Sequence, residues 1–227
     1  MTYSQQLNAP RQIARAKAQD IAFFADAPVG NIVDALGRAG AMDAQIKPIT
    51  KAAKFAGSAL TVNAGPRDNL APWAALRLAK PGDVMVIATG GHMEASVCGD
   101  LLVGMARNAS IVAIVTDGVV RDISGTDAVG IPVFAAGVSP NSPQKNGPGS
   151  VGFPIVAGGI AVSSGDIVCG DEDGVVVVPA WRLEEARAAL AAVRSKEAAI
   201  EKAVAGGAVA PSWLADLPLE QIFEFAD

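Results

Sequence analysis

Short apolar runs that end in turns recur along this chain, and they constrain its fold more than any other feature. The runs cover residues 84–88, 111–115 and 132–136, and residues 96–108 between the first two have the pattern of a helix. Short apolar runs bounded by Gly, Asp or Pro are typical of strands that are buried on both faces. Strands mixed with helices in this way predict an α/β layer fold.

The segments around these runs predict helices and one long loop. Residues 11–25 and 181–205 have helical composition, and the second helix is amphipathic. Asn31 belongs to a residue type that is favoured as an N-cap, which predicts that a short helix begins there. Residues 139–149 are rich in Pro, Asn, Gly and Ser and predict a long loop.

The length of the chain fits one domain. A chain of 227 residues can bury roughly 70–75% of its unfolded surface, so its core needs no disulfide or metal to hold it together. We predict a single domain over residues 1–227, with a core at about residues 30–180 and helical extensions at residues 1–29 and 181–227. Asp173-Gly174 precedes a valine run and predicts a hairpin near the end of the core.

Charge and hydropathy exclude two classes of partner. The formal net charge is −5 and no run of Lys or Arg stands out, whereas nucleic-acid binding normally needs a basic surface. No uninterrupted apolar run approaches the ~20 residues that span a bilayer. We therefore expect neither a nucleic acid nor a membrane as a partner.

The cysteines and the amino-terminal residues favour a cytoplasmic protein. Cys98 and Cys169 lie far apart, so neither a disulfide framework nor a zinc site is expected. The first residues lack the basic and apolar regions of a signal peptide. Charged residues make up 18% of the chain, below the roughly 25% of typical domains. Either other subunits cover part of the surface or the composition is simply rich in alanine, and both interpretations stay open.

An acidic residue and an adjacent Arg-Asp pair form the most informative motif. Asp100 lies within Gly99-Asp100-Leu101-Leu102, and Arg121-Asp122 follows after 20 intervening residues that contain an apolar run. This spacing can bring two carboxylates and one guanidinium to the same edge of a sheet. Carboxylates suit a hard divalent cation, and arginine suits a small anionic substrate. The motif therefore predicts a metal-assisted site for an oxyacid.

Each residue of this motif also has a purely structural interpretation. Asp100 is expected one turn into a helix that begins near Ser96, where an acidic side chain often only interacts with the helix dipole. Free N–H groups at that helix start could instead hold an anion. Arg121 and Asp122 could form a surface ion pair, which contributes only ~0–1 kcal/mol. Asp117 before Gly118 is more simply a turn former. The pairing of Asp100 with Arg121-Asp122 favours the functional interpretation.

Other candidate groups carry less weight. His92 is the single histidine, which excludes histidine-rich metal sites, and we interpret it as a loop residue. Cys98 has no evident base other than His92, so it is expected to be a small buried residue rather than a nucleophile. Lys145, in the long loop, either contacts an anionic substrate or is solvated. Glu197 is most simply a charge on a helix surface. The sequence contains no glycine-rich nucleotide-binding loop.

The motif resembles the RraA-like superfamily, and within it the 4-hydroxy-4-methyl-2-oxoglutarate and 4-carboxy-4-hydroxy-2-oxoadipate aldolases. The resemblance rests on Asp100 with Arg121-Asp122 and covers roughly residues 30–180. Further matching segments are Asp68-Asn69, Pro81-Gly82-Asp83, Gly149-Ser150-Val151 and residues 171–175. It implies an αββα-type sandwich that assembles as trimers, often paired into hexamers, with sites between subunits.

The resemblance also implies roles for individual residues. Asp122 would bind Mg²⁺ or Mn²⁺ directly, Asp100 would hold the ion through water, and Glu197 would do so from an adjacent subunit. Arg121 would contact the pyruvyl group, and the backbone N–H groups of Gly99, Asp100, Leu101 and Leu102 would bind its carboxylate. Lys145 would contact a further carboxylate of the substrate.

The implied activity is that of a divalent-metal-dependent class II pyruvate aldolase. It would cleave either 4-hydroxy-2-oxo acid to pyruvate and a second 2-oxo acid, and would decarboxylate oxaloacetate through the same enolate. The first alternative is an RraA-like regulator that inhibits a ribonuclease by binding to it. The second is a related lyase or hydratase acting on another oxyacid. The sequence leaves open the physiological substrate, the choice of Mg²⁺ or Mn²⁺, the general base and the choice of trimer or hexamer.

Overall fold

The computed structural model describes residues 7–215, 217–218 and 221–224, and its centre is a mixed sheet of nine strands. The strands of the protein are β1 (Leu7–Asn8), β2 (Lys47–Pro48), β3 (Phe55–Asn63), β4 (Asp83–Ala88), β5 (Ser96–Cys98), β6 (Ala113–Thr116), β7 (Val119–Val120), β8 (Val133–Ala135), β9 (Gly137–Val138), β10 (Gly149–Val151), β11 (Ile155–Ala157), β12 (Ile160–Val162), β13 (Ile167–Asp171) and β14 (Gly174–Val178). The α-helices are α1 (Ala18–Ala25), α2 (Val29–Ala35), α3 (Leu70–Ala75), α4 (Asp100–Asn108), α5 (Ile123–Val129), α6 (Leu183–Ala205) and α7 (Ser212–Ala215), and a short 3₁₀ helix covers Ala180–Arg182.

The main sheet is parallel at its centre and antiparallel towards its edges. Its strand order is β1-β10-β3-β4-β6-β8-β2, and β3, β4, β6 and β8 are parallel to one another. The long strand β3 pairs with β10 at one end and with the β13–β14 hairpin at the other, antiparallel in both cases. Two small sheets complete the fold, namely the hairpin β11–β12 and the parallel set β5-β7-β9.

Both faces of the main sheet are buried because its central strands are apolar throughout. Side chains alternate between the faces of a strand, so Met85 and Ile87 of β4 pack on one side while Val84 and Val86 pack on the other. The first side packs against α3 and α4, including Leu102. The second packs against the β11–β12 hairpin. Burying one such side chain stabilises the folded state by about 1.5–3 kcal/mol relative to leaving it exposed.

A third apolar cluster joins the outer helices to the β13–β14 hairpin. It contains Phe24 of α1, Ile32 of α2, Val176 of β14 and Leu190 of α6, all fully buried. Only Ala186 and Leu190 are buried among the 23 residues of α6, so most of this long helix faces outwards.

The layered α/β fold predicted from the sequence is confirmed, and so are the β13–β14 hairpin and the long α6 helix. The helix predicted over residues 96–108 is wrong at its start. Ser96–Cys98 is a buried strand, and the helix begins at Asp100. The helix predicted over residues 11–25 is wrong in its first part, because α1 begins at Ala18.

The extensions are described in part. Residues 1–6, 216, 219–220 and 225–227 of the predicted extensions lie outside the described residues. In the described part of the chain, no helix combines the length and the apolar composition that crossing a membrane requires.

Candidate active site at the ends of three short parallel strands

The small parallel sheet β5-β7-β9 brings the candidate residues together. Gly99-Asp100 follows β5 directly, Arg121-Asp122 follows β7, and the loop that contains Ser142 follows β9. Because the carboxyl ends of parallel strands lie at one edge of a sheet, all three segments meet there. The Arg121 N–H donates a hydrogen bond of 3.0 Å to the Cys98 carbonyl, which ties the first two segments together.

These segments line a cleft with a volume of about 130 Å³. Its walls are formed by Asn69, Trp73, Ser96, Cys98, Gly99, Asp100, Leu101, Leu102, Arg121, Asp122, Ser142, Pro143 and Lys145. The structure thus brings together every residue predicted for the site except Glu197. No sequence pattern indicated Trp73 or Ser142 as site residues.

Asp122 occupies an unusual backbone position and keeps one carboxylate oxygen open. Its φ of 56° and ψ of 46° are left-handed, at the residue that caps α5, and few residues other than Gly, Asn and Asp accept this conformation. Arg121 Nε donates to Asp122 Oδ2 at 3.1 Å, and Arg121 Nη1 donates to Ser142 Oγ at 2.7 Å. Asp122 Oδ1 has no partner within the described chain. The pair is partly solvent-accessible, with 37% of the Arg121 side chain and 42% of the Asp122 side chain exposed.

Two glycines leave room for the two carboxylates. A Cβ at residue 99 would collide with Asp122 Oδ2, and one at residue 125 would lie 2.6 Å from Asp100 Oδ2. Gly99 and Gly125 therefore allow the two carboxylates to approach the backbone closely, and neither has a φ that favours glycine. Sequence reasoning missed Gly125, because its contact with Asp100 depends on the packing of α5 against α4.

The first turn of α4 offers backbone donors to the cleft. Asp100 is the first residue of this helix and does not lie one turn inside it as predicted, because the residues before it form β5. The Leu101 N–H donates to Asp100 Oδ1 at 2.7 Å. The N–H groups of Asp100 and Leu102 have no acceptor in the described structure, as expected for a helix start.

The carboxylates fit a divalent cation only in part. Across residues 7–215, 217–218 and 221–224, no group of three or more His, Cys, Asp or Glu side chains is placed to hold a metal. Asp100 and Asp122 nevertheless face the same cleft with oxygens to spare, and Mg²⁺ typically takes one or two carboxylates together with several waters. This donor set therefore suits a hydrated Mg²⁺ or Mn²⁺.

Glu197 lies apart from the cleft lining. It is on α6, where Asn31 Nδ2 donates to its Oε2. Asn31 is thus not the N-cap that the sequence suggested, since α2 begins at Val29 and Asn31 lies inside its first turn.

Asp68 holds the long loop that forms one wall of the cleft. Its Oδ2 accepts hydrogen bonds from the N–H groups of Asn146 (2.6 Å) and Gly147 (3.1 Å), and its Oδ1 accepts from that of Leu70 (2.8 Å). The carboxylate thereby joins the start of α3 to the loop segment that carries Lys145. Lys145 itself is exposed at the rim.

The remaining titratable groups near the cleft have structural surroundings. Burial raises the pKa of the Cys98 thiol to about 12, so it is a thiol rather than a thiolate at neutral pH. Asp117 accepts hydrogen bonds from Thr89 N (2.6 Å), Thr89 Oγ1 (2.9 Å) and Gly91 N (3.2 Å), so its carboxylate ties the turn after β6 to the segment after β4 and does not act within its own turn as the sequence suggested. His92 does not line the cleft.

Comparison with known proteins gives one family and several relatives. The family model described as RraA-like, Aldolase/RraA, matches residues 29–177. A protein of Halalkalibacterium halodurans named "Putative 4-hydroxy-4-methyl-2-oxoglutarate aldolase" is 33% identical over 198 residues, which cover 87% of this chain and 94% of that protein.

Solved structures with the same fold include proteins of quite different description. An uncharacterised protein from Pseudomonas syringae pv. tomato is 25% identical with a TM-score of 0.75, covering 86% of this chain and 96% of its own. The RNA-processing inhibitor RraA from Thermus thermophilus is 27% identical with a TM-score of 0.63, covering 68% of this chain and 93% of its own. The match to the inhibitor thus leaves about a third of this chain unmatched.

Proposed function

This chain belongs to the RraA-like family, and we propose that it is a divalent-metal-dependent pyruvate aldolase that acts on a 4-hydroxy-2-oxo acid. The substrate would be 4-hydroxy-4-methyl-2-oxoglutarate or 4-carboxy-4-hydroxy-2-oxoadipate, and oxaloacetate decarboxylation would accompany the aldol cleavage. One observation carries the proposal. The Arg121-Asp122 pair faces a small cleft with hydrogen-bonding capacity unused, next to two free N–H groups of α4.

The proposed reaction needs stabilisation of negative charge on a bound pyruvyl group. Cleavage of the C3–C4 bond removes the C4 hydroxyl proton, turns C4 into a ketone and leaves an enolate on the pyruvyl fragment. The Arg121 guanidinium would contact the oxygen that gains this charge, and the free N–H groups of Asp100 and Leu102 would bind the carboxylate at C1. Protonation of the enolate at C3 then gives pyruvate, so the substrate yields two 2-oxo acids without any co-reactant.

Asp122 and Asp100 would hold Mg²⁺ or Mn²⁺, which when bound supplies Lewis-acid stabilisation worth several kcal/mol to such an enolate. We propose that Glu197 adds a third carboxylate from a neighbouring copy in a trimer or hexamer. Leu101 and Met105 on α4 support contact with another copy, because these apolar side chains are 71% and 51% exposed beside the cleft. We propose that an ordered water accepts the C4 hydroxyl proton.

Lys145 would complete the site at the other end of the substrate. Its ammonium group is a point charge on a flexible stem, and its position at the rim suits a second carboxylate. Both proposed substrates carry such a group beyond C4.

The test is pyruvate release in the presence of Mg²⁺ or EDTA, with both 4-hydroxy-2-oxo acids and oxaloacetate offered in parallel. Asp122→Asn, which keeps a residue that tolerates the left-handed backbone, should lower kcat/KM by at least about 100-fold. Asp127→Asn, on the same helix but outside the cleft, is the matched control and should retain activity. Absence of metal-dependent pyruvate from all three substrates would sink the proposal.

A second function is supported by the similarity to the RraA inhibitor. A regulator that binds a ribonuclease would act through its surface and would not need an open carboxylate at Asp122. Asp122→Asn should therefore leave ribonuclease inhibition unchanged. An inactive wild-type chain that binds a ribonuclease would establish this alternative in place of the aldolase.

A further inference from the structure

One wall of the cleft carries two polar atoms that no part of the described chain satisfies. Asn69 Oδ1 and Trp73 Nε1 are both buried and lack a hydrogen-bond partner, and both residues line the cleft. The Asn69 residue is only 5% exposed. A buried polar group without a partner costs about 1–3 kcal/mol, so such atoms at a ligand site call for a partner from the ligand.

The orientation of the Asn69 amide is fixed by its other hydrogen bond. Asn69 Nδ2 donates to the Val97 carbonyl at 3.1 Å, which identifies the free atom of the amide as its oxygen. The Trp73 backbone N–H donates to the Asn69 backbone carbonyl at 3.3 Å, so Asn69 and Trp73 are joined through the first turn of α3. The two residues are therefore four apart at the start of α3, and side chains at this spacing share one face of a helix.

The chemistry of these two atoms identifies the group that they would bind. Asn69 Oδ1 can only accept a hydrogen bond, and Trp73 Nε1 can only donate one. A carboxylate would suit the indole but would face an amide oxygen with nothing to donate. A ketone oxygen also only accepts hydrogen bonds, so it too has nothing to donate to Asn69 Oδ1. A hydroxyl group within reach of both atoms would satisfy them, because it donates through its proton and accepts through its oxygen.

We propose that Asn69 and Trp73 recognise the C4 hydroxyl of the substrate and thereby favour 4-hydroxy-2-oxo acids over oxaloacetate, which has no hydroxyl. This inference rests on the proposed function and adds the residues that set its specificity. Arg121, Asp122 and the N–H groups of α4 bind features that both kinds of substrate share. The α3 wall contacts the one group that distinguishes them.

Trp73→Phe tests the proposal, because it removes the indole N–H and keeps an aromatic ring in the wall. The value of kcat/KM for 4-hydroxy-4-methyl-2-oxoglutarate should fall about tenfold, which corresponds to one lost hydrogen bond. The value for oxaloacetate should stay within about twofold. Trp181→Phe is the matched control, since Trp181 is 84% exposed and lies outside the cleft, and it should change neither value.

A measurement on the unaltered protein makes the test independent of how the variant folds. The analogue 4-methyl-2-oxoglutarate lacks only the hydroxyl, and it should compete with oxaloacetate about tenfold more weakly than the hydroxylated acid does. Equal losses for both substrates in Trp73→Phe, or equal competition by the two acids, would overturn the inference while the proposed function stands. A wild-type chain inactive on both substrates would overturn the proposed function and the inference with it.

Discussion

The described residues form three Arg–Asp ion pairs, and two of them show how a structural pair differs from a pair proposed to be functional. Arg15 and Asp83 join the amino-terminal segment to the start of β4, with only 14% and 1% of their side chains exposed. Arg121 and Asp122 are adjacent in sequence at the cleft, with 37% and 42% exposed. The same two residue types thus form one buried pair and one partly exposed pair, and the third pair, Arg187–Asp20, is intermediate in exposure.

Hydrogen bonding makes the contrast sharper. Both oxygens of Asp83 accept from the Arg15 guanidinium, and Oδ2 also accepts from the Lys80 N–H at 2.8 Å. The guanidinium also donates to the carbonyls of Ile13, Ala14 and Leu78. At the cleft, a single bond of 3.1 Å joins the two partners. When every donor and acceptor of an ion pair is already hydrogen-bonded within the protein, the pair can only stabilise the fold. An ion pair with unpaired donors or acceptors can also bind a ligand.

The largest effect is expected on the free energy of unfolding, when the buried Arg15–Asp83 pair is broken. Arg15→Ala would leave the Asp83 carboxylate buried without its counter-ion, which typically costs 3–5 kcal/mol of unfolding free energy. Chemical denaturation would measure this loss. Arg11→Ala, at an exposed position in the same segment, is the control and should change stability by less than about 0.5 kcal/mol. A stability loss in Arg15→Ala no larger than that of the control would contradict the comparison.

A smaller effect is expected on catalytic rate, when the space that Gly99 leaves beside the Asp122 carboxylate is filled. Gly99→Ala would push a Cβ into Asp122 Oδ2, and displacement of a catalytic group by about 1 Å can cost about 100-fold in rate. Gly104→Ala on the same helix is the matched control, because its Cβ would meet only Val129 Cγ2 at 3.9 Å. Steady-state kinetics of both variants would separate the two outcomes. Equal activity in the two would show that Asp122 tolerates displacement.

The smallest effect concerns an ion pair that is exposed but does not reach the cleft. The Lys51 backbone N–H donates to Asp127 Oδ1 at 2.8 Å, and this bond is the main cause that lowers the pKa of Asp127, ahead of the Lys51 side chain. A lowered pKa in the folded state adds stability above the unfolded value, and this stability is lost as the pH falls through the folded value. Thermal unfolding between pH 7 and pH 3 should show this loss in the wild type and less of it in Asp127→Asn.

Lys51→Met is the informative control for that prediction. It removes the side-chain ion pair of 3.3 Å and keeps the backbone donor, so most of the pH dependence should remain. If the stability of Lys51→Met depended on pH as weakly as that of Asp127→Asn, the lowered pKa of Asp127 would instead be due to the Lys51 ammonium group.

The central strands were predictable from the sequence because burial on both faces leaves a continuous apolar run. β4, β6 and β8 are such strands, and their positions were predicted within about two residues. The small strands β5, β7 and β9 were not predicted, since two or three residues give no usable periodicity. Their pairing is set by long-range contacts, and this is why Asp100 was expected deeper in its helix than it lies.

The position of the candidate site was predictable where residue type and spacing are both unusual. Asp100 and Arg121-Asp122 follow strands that meet at one edge, as the spacing indicated. Asn69 and Trp73 gave no such signal, because an asparagine and a tryptophan four apart are equally typical of a packed helix. What distinguishes Asn69 and Trp73 from ordinary packed residues is that Asn69 Oδ1 and Trp73 Nε1 are buried without a hydrogen-bond partner in the described structure. The roles of Asp100, Arg121, Asp122, Glu197 and Lys145 all stay predictions.

The position of Trp73 gives the molecule an optical reporter of its own cleft. The chain has three tryptophans, and the other two, Trp181 and Trp213, are 84% and 69% exposed. A water-soluble quencher such as iodide should therefore suppress the fluorescence of Trp181 and Trp213 first, and the remaining emission should come from Trp73 in the cleft. We expect the residual fluorescence to report occupancy of the cleft without any added label, including by ligands that are never turned over.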